Sequence, residues 1–193
     1  MPKVNEIKKT MKTKFSPEMI KKFDFPAPKG NQPEEVLSLI DQMNTLLTQK
    51  ECFAVMEEQG CCKDEKVTAP FQAFGIKHKN KSIEEKIGLF DELETGHKAP
   101  CHLNPDGTLS IYWEFKQNDK YQCVCRVIKR LYKERGEPVH VSSTFCGCCA
   151  GHVRNTYQYA LGVKLQLKEI VSSPINTNGK KRCEFLFNII EEM

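Results

Sequence analysis

Three cysteines fall within four positions in the segment Thr144-Phe145-Cys146-Gly147-Cys148-Cys149-Ala150-Gly151-His152. A second pair, Cys123-Val124-Cys125, lies some twenty residues upstream. Cysteines in a core are scattered by packing needs, whereas clustered thiols with a nearby histidine are the donor set of soft transition metals, zinc above all. Cys123 and Cys125 alternate along an expected strand, so both thiols lie on one face, about 7 Å apart. If the next helix begins near Gly147, Cys148 and His152 are four residues apart and share a face. The positive end of that helix would favour thiolate, for metal ligation or for nucleophilic attack.

The expected metal site is therefore Cys123, Cys125, Cys146 and Cys148, with Cys149 and His152 as further ligands and zinc as the ion. The spacing is not that of a zinc ribbon, which places two residues inside each pair. A cysteine–histidine nucleophile would combine Cys148 or Cys149 with His140 or His152. The competing account is that Gly147, Ala150 and Gly151 serve close packing and the cysteines are their small neighbours. Cys61, Cys62, Cys101 with His102, and Cys183 remain outside the expected site. Cys183 alternates with Phe185 and Phe187 and reads as core, while His78 and His97 read as surface. Glycine-rich phosphate loops, the His-Glu-x-x-His helix and the Gly-x-Ser-x-Gly elbow are all missing from the sequence.

The elements that must carry these residues follow from periodicity. Residues 1–32 are basic and then punctuated by Pro26, Pro28 and Gly30, and read as a short helix or mobile arm followed by an extended linker. Residues 33–100 read as a helical lobe. Val36, Ile40, Met43 and Leu47 form one stripe, and Cys52, Phe53, Val55 and Met56 another, stopped by Gly60. Ser82 and Glu85 make a capping box for a third helix, with Ile83, Ile87, Phe90 and Leu93 inward and Gly96 at its end. Residues 101–193 read as an α+β ligand-binding domain. Its strands are expected near 108–115, 121–127, 163–172 and 182–190, with a helix over 150–161. Asn178-Gly179 is a hairpin signal. The fold class is α+β: a helical N-terminal half, then an antiparallel four-stranded sheet with a covering helix.

Composition narrows the function. A net charge of +4 on 193 residues, spread over the N-terminus and pairs such as Lys180-Lys181, is a solvated surface and not a nucleic-acid footprint. The N-terminus lacks the apolar run of a secretory signal, and no stretch approaches the roughly 18 apolar residues of a membrane span. A cytoplasmic location with reduced thiols is expected. The expected partner is a small organic ligand, with neither nucleic acid nor membrane, and a homodimer stays open. Its pocket is expected between sheet and helices, lined by Trp113 and Tyr157.

From Cys146 to Ile190 the chain resembles the C-terminal half of the 4-vinyl reductase domain family. The resemblance rests on Cys146-Gly147-Cys148-Cys149-Ala150-Gly151, on Leu161-Gly162, on the strand Val163 to Ser173, and on Cys183-Glu184-Phe185. The helical first half resembles bacterial Cys-rich relatives with an N-terminal helical lobe. The resemblance implies a small α+β binder of organic molecules, with cysteines that hold metal. It also implies an alternative, because a neighbouring family hydrolyses an aminothiazoline carboxylate. The tandem Cys148-Cys149 departs from the family pattern and leaves open which thiol occupies the family position.

Overall fold

Val4, Ile7 and Met11 recur at helical spacing among lysines, and they decide the N-terminus. The computed structural model describes residues 2–25, 33–60, 64–96, 99–136 and 141–192. Within it, α1 (Val4–Lys14) buries Val4, Ile7 and Met11 completely or nearly so. Of the short helix or mobile arm expected here, the structure has the helix, and its burial replaces the mobile arm. The lysines face water, while the three apolar residues join the core with α3 (Pro33–Leu46) and α4 (Gln49–Met56). A short α2 (Pro17–Ile20) lies between, started by Ser16. Pro26, Pro28 and Gly30, read as linker, lie outside the described residues, as do His97 and His140. Helix α4 opens with a full Thr48–Glu51 capping box and runs into a 3-10 turn, Glu57–Gln59.

Two further helices follow. Helix α5 (Glu65–Lys77), unassigned from sequence, is capped by Asp64, buries Phe71 and Phe74, and tolerates Pro70 inside it. The Ser82–Glu85 capping box forms as expected, but α6 (Ile83–Gly88) stops early and gives way to a 3-10 turn at Phe90–Glu92. His78, read as surface, is buried, with Nε2 3.2 Å from a Glu92 carboxylate oxygen.

The sheet is antiparallel, in the order β1-β2-β6-β5. Its strands are β1 (Cys101–Leu103), β2 (Thr108–Trp113), β5 (Val163–Ser172) and β6 (Cys183–Glu192). Register pairs Leu109 with Phe187, Ile111 with Phe185 and Trp113 with Cys183, so one face carries an unbroken apolar row. Three of the four expected strands are present, and the protein is α+β with a helical N-terminal half. The strand expected at 121–127 is corrected. Only a two-stranded ribbon forms there, β3 (Lys116–Gln117) with β4 (Lys120–Tyr121), turned by Asn118 and Asp119 at positive φ. The chain then starts α7 (Arg126–Arg135), because Val127, Ile128 and Leu131 form a helical stripe that outweighs a three-residue alternation.

Helix α8 (Ser143–Leu161), ended by Gly162 in the left-handed conformation, holds both halves together. Phe145 and Cys148 on its first turns join the core of α1, α3, α4 and α7. Val153, Tyr157 and Ala160 further along join the core of the sheet and α5. Glycines let it approach α4 closely. A Cβ on Gly151 would lie 2.0 Å from the Glu57 carbonyl oxygen, and one on Gly147 would lie 2.7 Å from Met56 Cβ. At its far end, buried Lys86 donates to the Leu161 carbonyl at 2.6 Å, a cation at the negative end of the helix.

The open edge of β5 is covered by side chains. Gln158 Oε1 accepts from Leu165 N–H at 2.9 Å, and Glu57 Oε2 accepts from Leu167 N–H at 3.1 Å. Arg154 pairs with Glu57 at 2.7 Å and Glu58 at 2.9 Å. Burial nevertheless pushes the Glu57 carboxyl above its usual range, against the pull of Arg154.

Gly151→Ala is expected to cost about 3 kcal/mol, the upper range of overpacking, because the obstructing atom is backbone. Gly88→Ala, which meets nothing within 4 Å, should stay within about 1 kcal/mol of wild type. Urea unfolding of both variants checks the contrast. The raised carboxyl of Glu57 has a pH signature. As pH rises from the usual 4.5 through the higher folded value, the unfolded chain ionises first and stability falls. Glu57→Gln should remove that descending part of the stability-against-pH curve.

Candidate functional site

Helix α8 begins at Ser143, after Ser142 at its N-cap, so Cys146, Cys148 and Cys149 stand inside the helix and not at a loop-to-helix junction. That start decides where each thiol goes. Cys146 and Cys149 are three apart and share a side. Cys148 turns elsewhere, and its thiol donates to the Gln59 carbonyl at 3.1 Å, in the core with Val55 and Met56. Cys149 has Cys125 as its strongest neighbour, ahead of Cys148 and Cys146. Cys125 is the N-cap residue of α7, and Cys123 precedes it in the loop after β4.

The thiols of Cys123, Cys125, Cys146 and Cys149 therefore gather from two chain regions, with Cys149 in the place expected for Cys148. Cys183 on β6 joins them: Cys146, Cys123 and Cys125 all act on its thiol. Its alternation with Phe185 and Phe187 foretold its inward direction, and only the register opposite Trp113 shows the company it keeps. His152, expected as a ligand, is buried with its ring stacked on Trp113, centroids 5.1 Å apart and planes at 29°. Among the described residues, no group of three or more His, Cys, Asp or Glu side chains could hold a metal ion as placed. Cys61 and Cys62 lie outside the described residues.

Electrostatics set the state of these thiols. Burial pushes Cys123 up to about 12 and Cys146 up to about 11. The hydrogen bond with Cys125, then burial, drive Cys149 well above the usual thiol range. Cys183 is raised by burial first and by its cysteine neighbours second. All are thiols and not thiolates near neutral pH. The expectation that the helix end would favour thiolate is corrected: that field fades within the first turn, and desolvation exceeds it. Cys101, also raised to about 12 by burial, stands apart on β1, where it acts on Tyr157, and His102 beside it is exposed.

Next to the thiols opens a cleft of about 880 Å³. Its walls are the β3–β4 ribbon (Lys120, Tyr121), the loop residues Gln122 and Cys123, the end of α7 (Tyr132, Gly136) and the connection 174–181. Ser173 and Pro174 shape that connection. The Ser173 carbonyl accepts from Thr177 Oγ1 at 2.7 Å, and the Pro174 carbonyl accepts from Gly179 N–H at 2.8 Å. Asn178 and Gly179 both adopt positive φ, as their pairing suggests, but within a longer link than a two-residue hairpin. The Gly179 carbonyl accepts from Tyr121 N–H at 2.9 Å and ties the two walls together.

Neither Trp113 nor Tyr157 lines this cleft. Tyr157 is fully buried, 5.6 Å from both Phe71 and Phe90 between ring centroids. Its hydroxyl donates to the Ala99 carbonyl and accepts from Ala99 N–H at 2.7 Å, so its polar end is satisfied by backbone. The cleft was hidden from sequence reasoning because a ribbon, a helix end and a connection build it jointly. Its one local signal was the positive-φ pair Asn178-Gly179.

No family model matches the chain, and no curated protein is similar to it. A solved structure aligns over 98% of both chains with 11% identity and a TM-score of 0.34: a mutant H-NOX domain from Shewanella oneidensis in its Fe(II)CO ligation state, determined by NMR. A likeness that slight carries nothing about function.

The raised thiols make a kinetic prediction. At pH 8 a shift of Cys123 from 9 to about 12 lowers its thiolate fraction about a thousandfold, and the greater basicity of the anion returns part of that. Alkylation of Cys123 in the folded protein should be roughly 30- to 60-fold slower than in the urea-unfolded chain. Isotope-coded iodoacetamide with mass spectrometry reads the ratio, and equal rates would refute the protonated cluster.

Proposed function

We propose that this protein is a small-molecule-binding module of sensor type, with its ligand in the 880 Å³ cleft between α7, the β3–β4 ribbon and the connection 174–181. One observation carries this reading: Cys123 is both a wall of that cleft and a member of the thiol cluster, so an occupant would touch the most unusual chemistry in the chain. The lining favours an organic molecule with an anionic group. Tyr121, Tyr132 and Ile175 offer apolar surface, Lys120, Lys180 and Lys181 offer positive charge, and no carboxylate is among the described lining residues. All of them fall within 101–193, the segment read as the ligand-binding domain. The free thiols of the described cysteines are compatible with a reducing, cytoplasmic location. No helix among the described residues is long and apolar enough to cross a membrane.

The zinc expectation gains no support from the arrangement. A closed zinc site needs four ligands in a tetrahedron, and the described residues gather no group of three that could hold a metal. The hydrolase alternative has less behind it than binding. A thiolate nucleophile wants a lowered pKa, and Cys123, Cys146 and Cys149 are all raised.

Anilinonaphthalene sulfonate, an anionic apolar dye, is the probe for the cleft. One saturable equivalent should bind the folded protein, and Lys180→Glu with Lys181→Glu should weaken it about tenfold or more, the equivalent of about 1.4 kcal/mol. Absence of saturable binding, or full binding by the charge-reversed variant, would remove the cleft from consideration.

A further inference from the structure

The fold gathers positive charge around the cleft. Residues 114–136 and 173–182 hold ten lysines and arginines against three acids, Glu114, Asp119 and Glu134. Their net charge is +7, which leaves −3 for the remainder of a chain whose total is +4. Both runs wall the same cleft, through Lys120 on one side and Lys180 and Lys181 on the other. A Cβ on Gly179 would lie 3.1 Å from Lys120 Cβ, so the two runs touch. Charge that reads as scattered in the sequence is thus one patch in the structure. Helix α7 extends it. Arg126, Lys129, Arg130 and Lys133 stand at i, i+3, i+4 and i+7, exposed and opposite the buried stripe. Two of the three acids are already paired, Glu114 with Arg182 and Glu134 with Arg130. Lys120, Lys129, Lys133, Lys180 and Lys181 make no ion pair among the described residues. Aromatic rings are interleaved with these cations. Lys129 Nζ lies 5.3 Å from the Phe115 ring centre, and Lys116 Nζ lies 5.0 Å from that of Tyr121. Phe115 is 46% exposed, and Tyr121 and Tyr132 line the cleft.

We infer that this surface docks single-stranded RNA, with one nucleotide seated in the cleft and its neighbours running along the basic face of α7. The inference rests on the cleft holding an organic anion, as proposed above, and names the polymer that presents one. Each unit of a strand offers a phosphate and a planar base, and the patch sets an ammonium group beside a ring at two places. Cationic grooves with aromatic side chains hold flexible strands in this way, through backbone charge and base stacking. A duplex keeps its bases paired and stacked, out of reach of Phe115 and of the cleft. An anionic bilayer is flat, whereas these cations rim a concavity. The lining amides favour RNA over DNA, because Gln122, Asn176 and Asn178 carry both donors and acceptors for a 2′-hydroxyl.

The test is fluorescence anisotropy of the full chain with a labelled oligouridylate of about twelve nucleotides, within the span such grooves cover. Saturable binding is expected. Contact with about four phosphates would give a slope of about −3 for log affinity against log salt. Lys129→Glu with Lys133→Glu should weaken binding about tenfold or more, and Phe115→Ala about fivefold or more. All three side chains are exposed, so these changes spare the core. Lys164→Glu with Lys168→Glu, the same change of net charge on exposed positions of β5, should leave binding unchanged. On the wild-type chain, bound strand should slow acetylation of Lys129 and Lys180 and not of Lys164. Lys129 and Lys133 do not line the cleft, so their variant should still take anilinonaphthalene sulfonate. Wild-type protein that takes the dye but no oligouridylate would overturn the RNA inference and leave the organic-anion reading standing, while loss of both would remove both. An equal hold on oligothymidylate, on an RNA duplex or on inorganic polyphosphate would also overturn it. So would full binding by the Lys129, Lys133 variant.

Discussion

The close approach of α8 to the end of α4 is the contact on which the other positions depend. Gly147 and Gly151 leave no Cβ between the α8 backbone and Met56–Glu57, and that fixes the height and rotation of α8. Once the helix is seated, Phe145 and Cys148 fall into the helical core and Val153 and Tyr157 into the sheet core. Cys146 and Cys149 are left at the seam, facing Cys123 and Cys125. A residue with a side chain at Gly151 would push α8 outward and move the thiols with it. Packing and chemistry are therefore one constraint in this chain, and the glycines belong to the site although they touch none of its sulfurs.

The same seam solves the edge problem of the sheet. Strand β5 has β6 on one side only, and its outward amides would otherwise be open to another strand. Glu57 and Gln158 take two of them. Burying Glu57 is costly, as its raised carboxyl shows, and Arg154 from α8 offsets only part of that cost. The pair is better understood as specifying where β5 meets the 3-10 turn than as a net source of stability. It belongs to α8 again: Arg154 and Gln158 are four residues apart and follow directly from the seating at Gly151.

Much of this was legible in the sequence, and the misses have particular causes. The stripe Val36-Ile40-Met43, the Ser82–Glu85 box, the alternation Cys183-Phe185-Phe187 and the class α+β were all readable, because each is a local pattern backed by burial. That α1 is anchored in the core and not a mobile arm was hidden by its lysines, which outnumber the three apolar residues that hold it. Segment 121–127 alternated for too few residues to hold a strand against the helical stripe of α7. For the cysteines the helix start was the missing signal: α8 begins at Ser143 and not near Gly147, so Cys146 already stands inside the helix and shares a side with Cys149, while Cys148 turns to Gln59. The cleft was illegible, since its walls are far apart in sequence and are joined by contacts such as the backbone bond from Tyr121 to Gly179.

The state of the thiols links fold to function. A metal-free cluster of buried cysteines has two ways to lower its electrostatic cost: it can stay protonated, or it can receive a cation. The raised pKa values of Cys123, Cys146 and Cys149 show the first. In that state the sulfurs are weak nucleophiles and poor targets for oxidants, so the cluster is quiet until something displaces its protons. A soft cation does so directly, and each thiol it deprotonates then sits near others that resist ionisation, which limits how many can join.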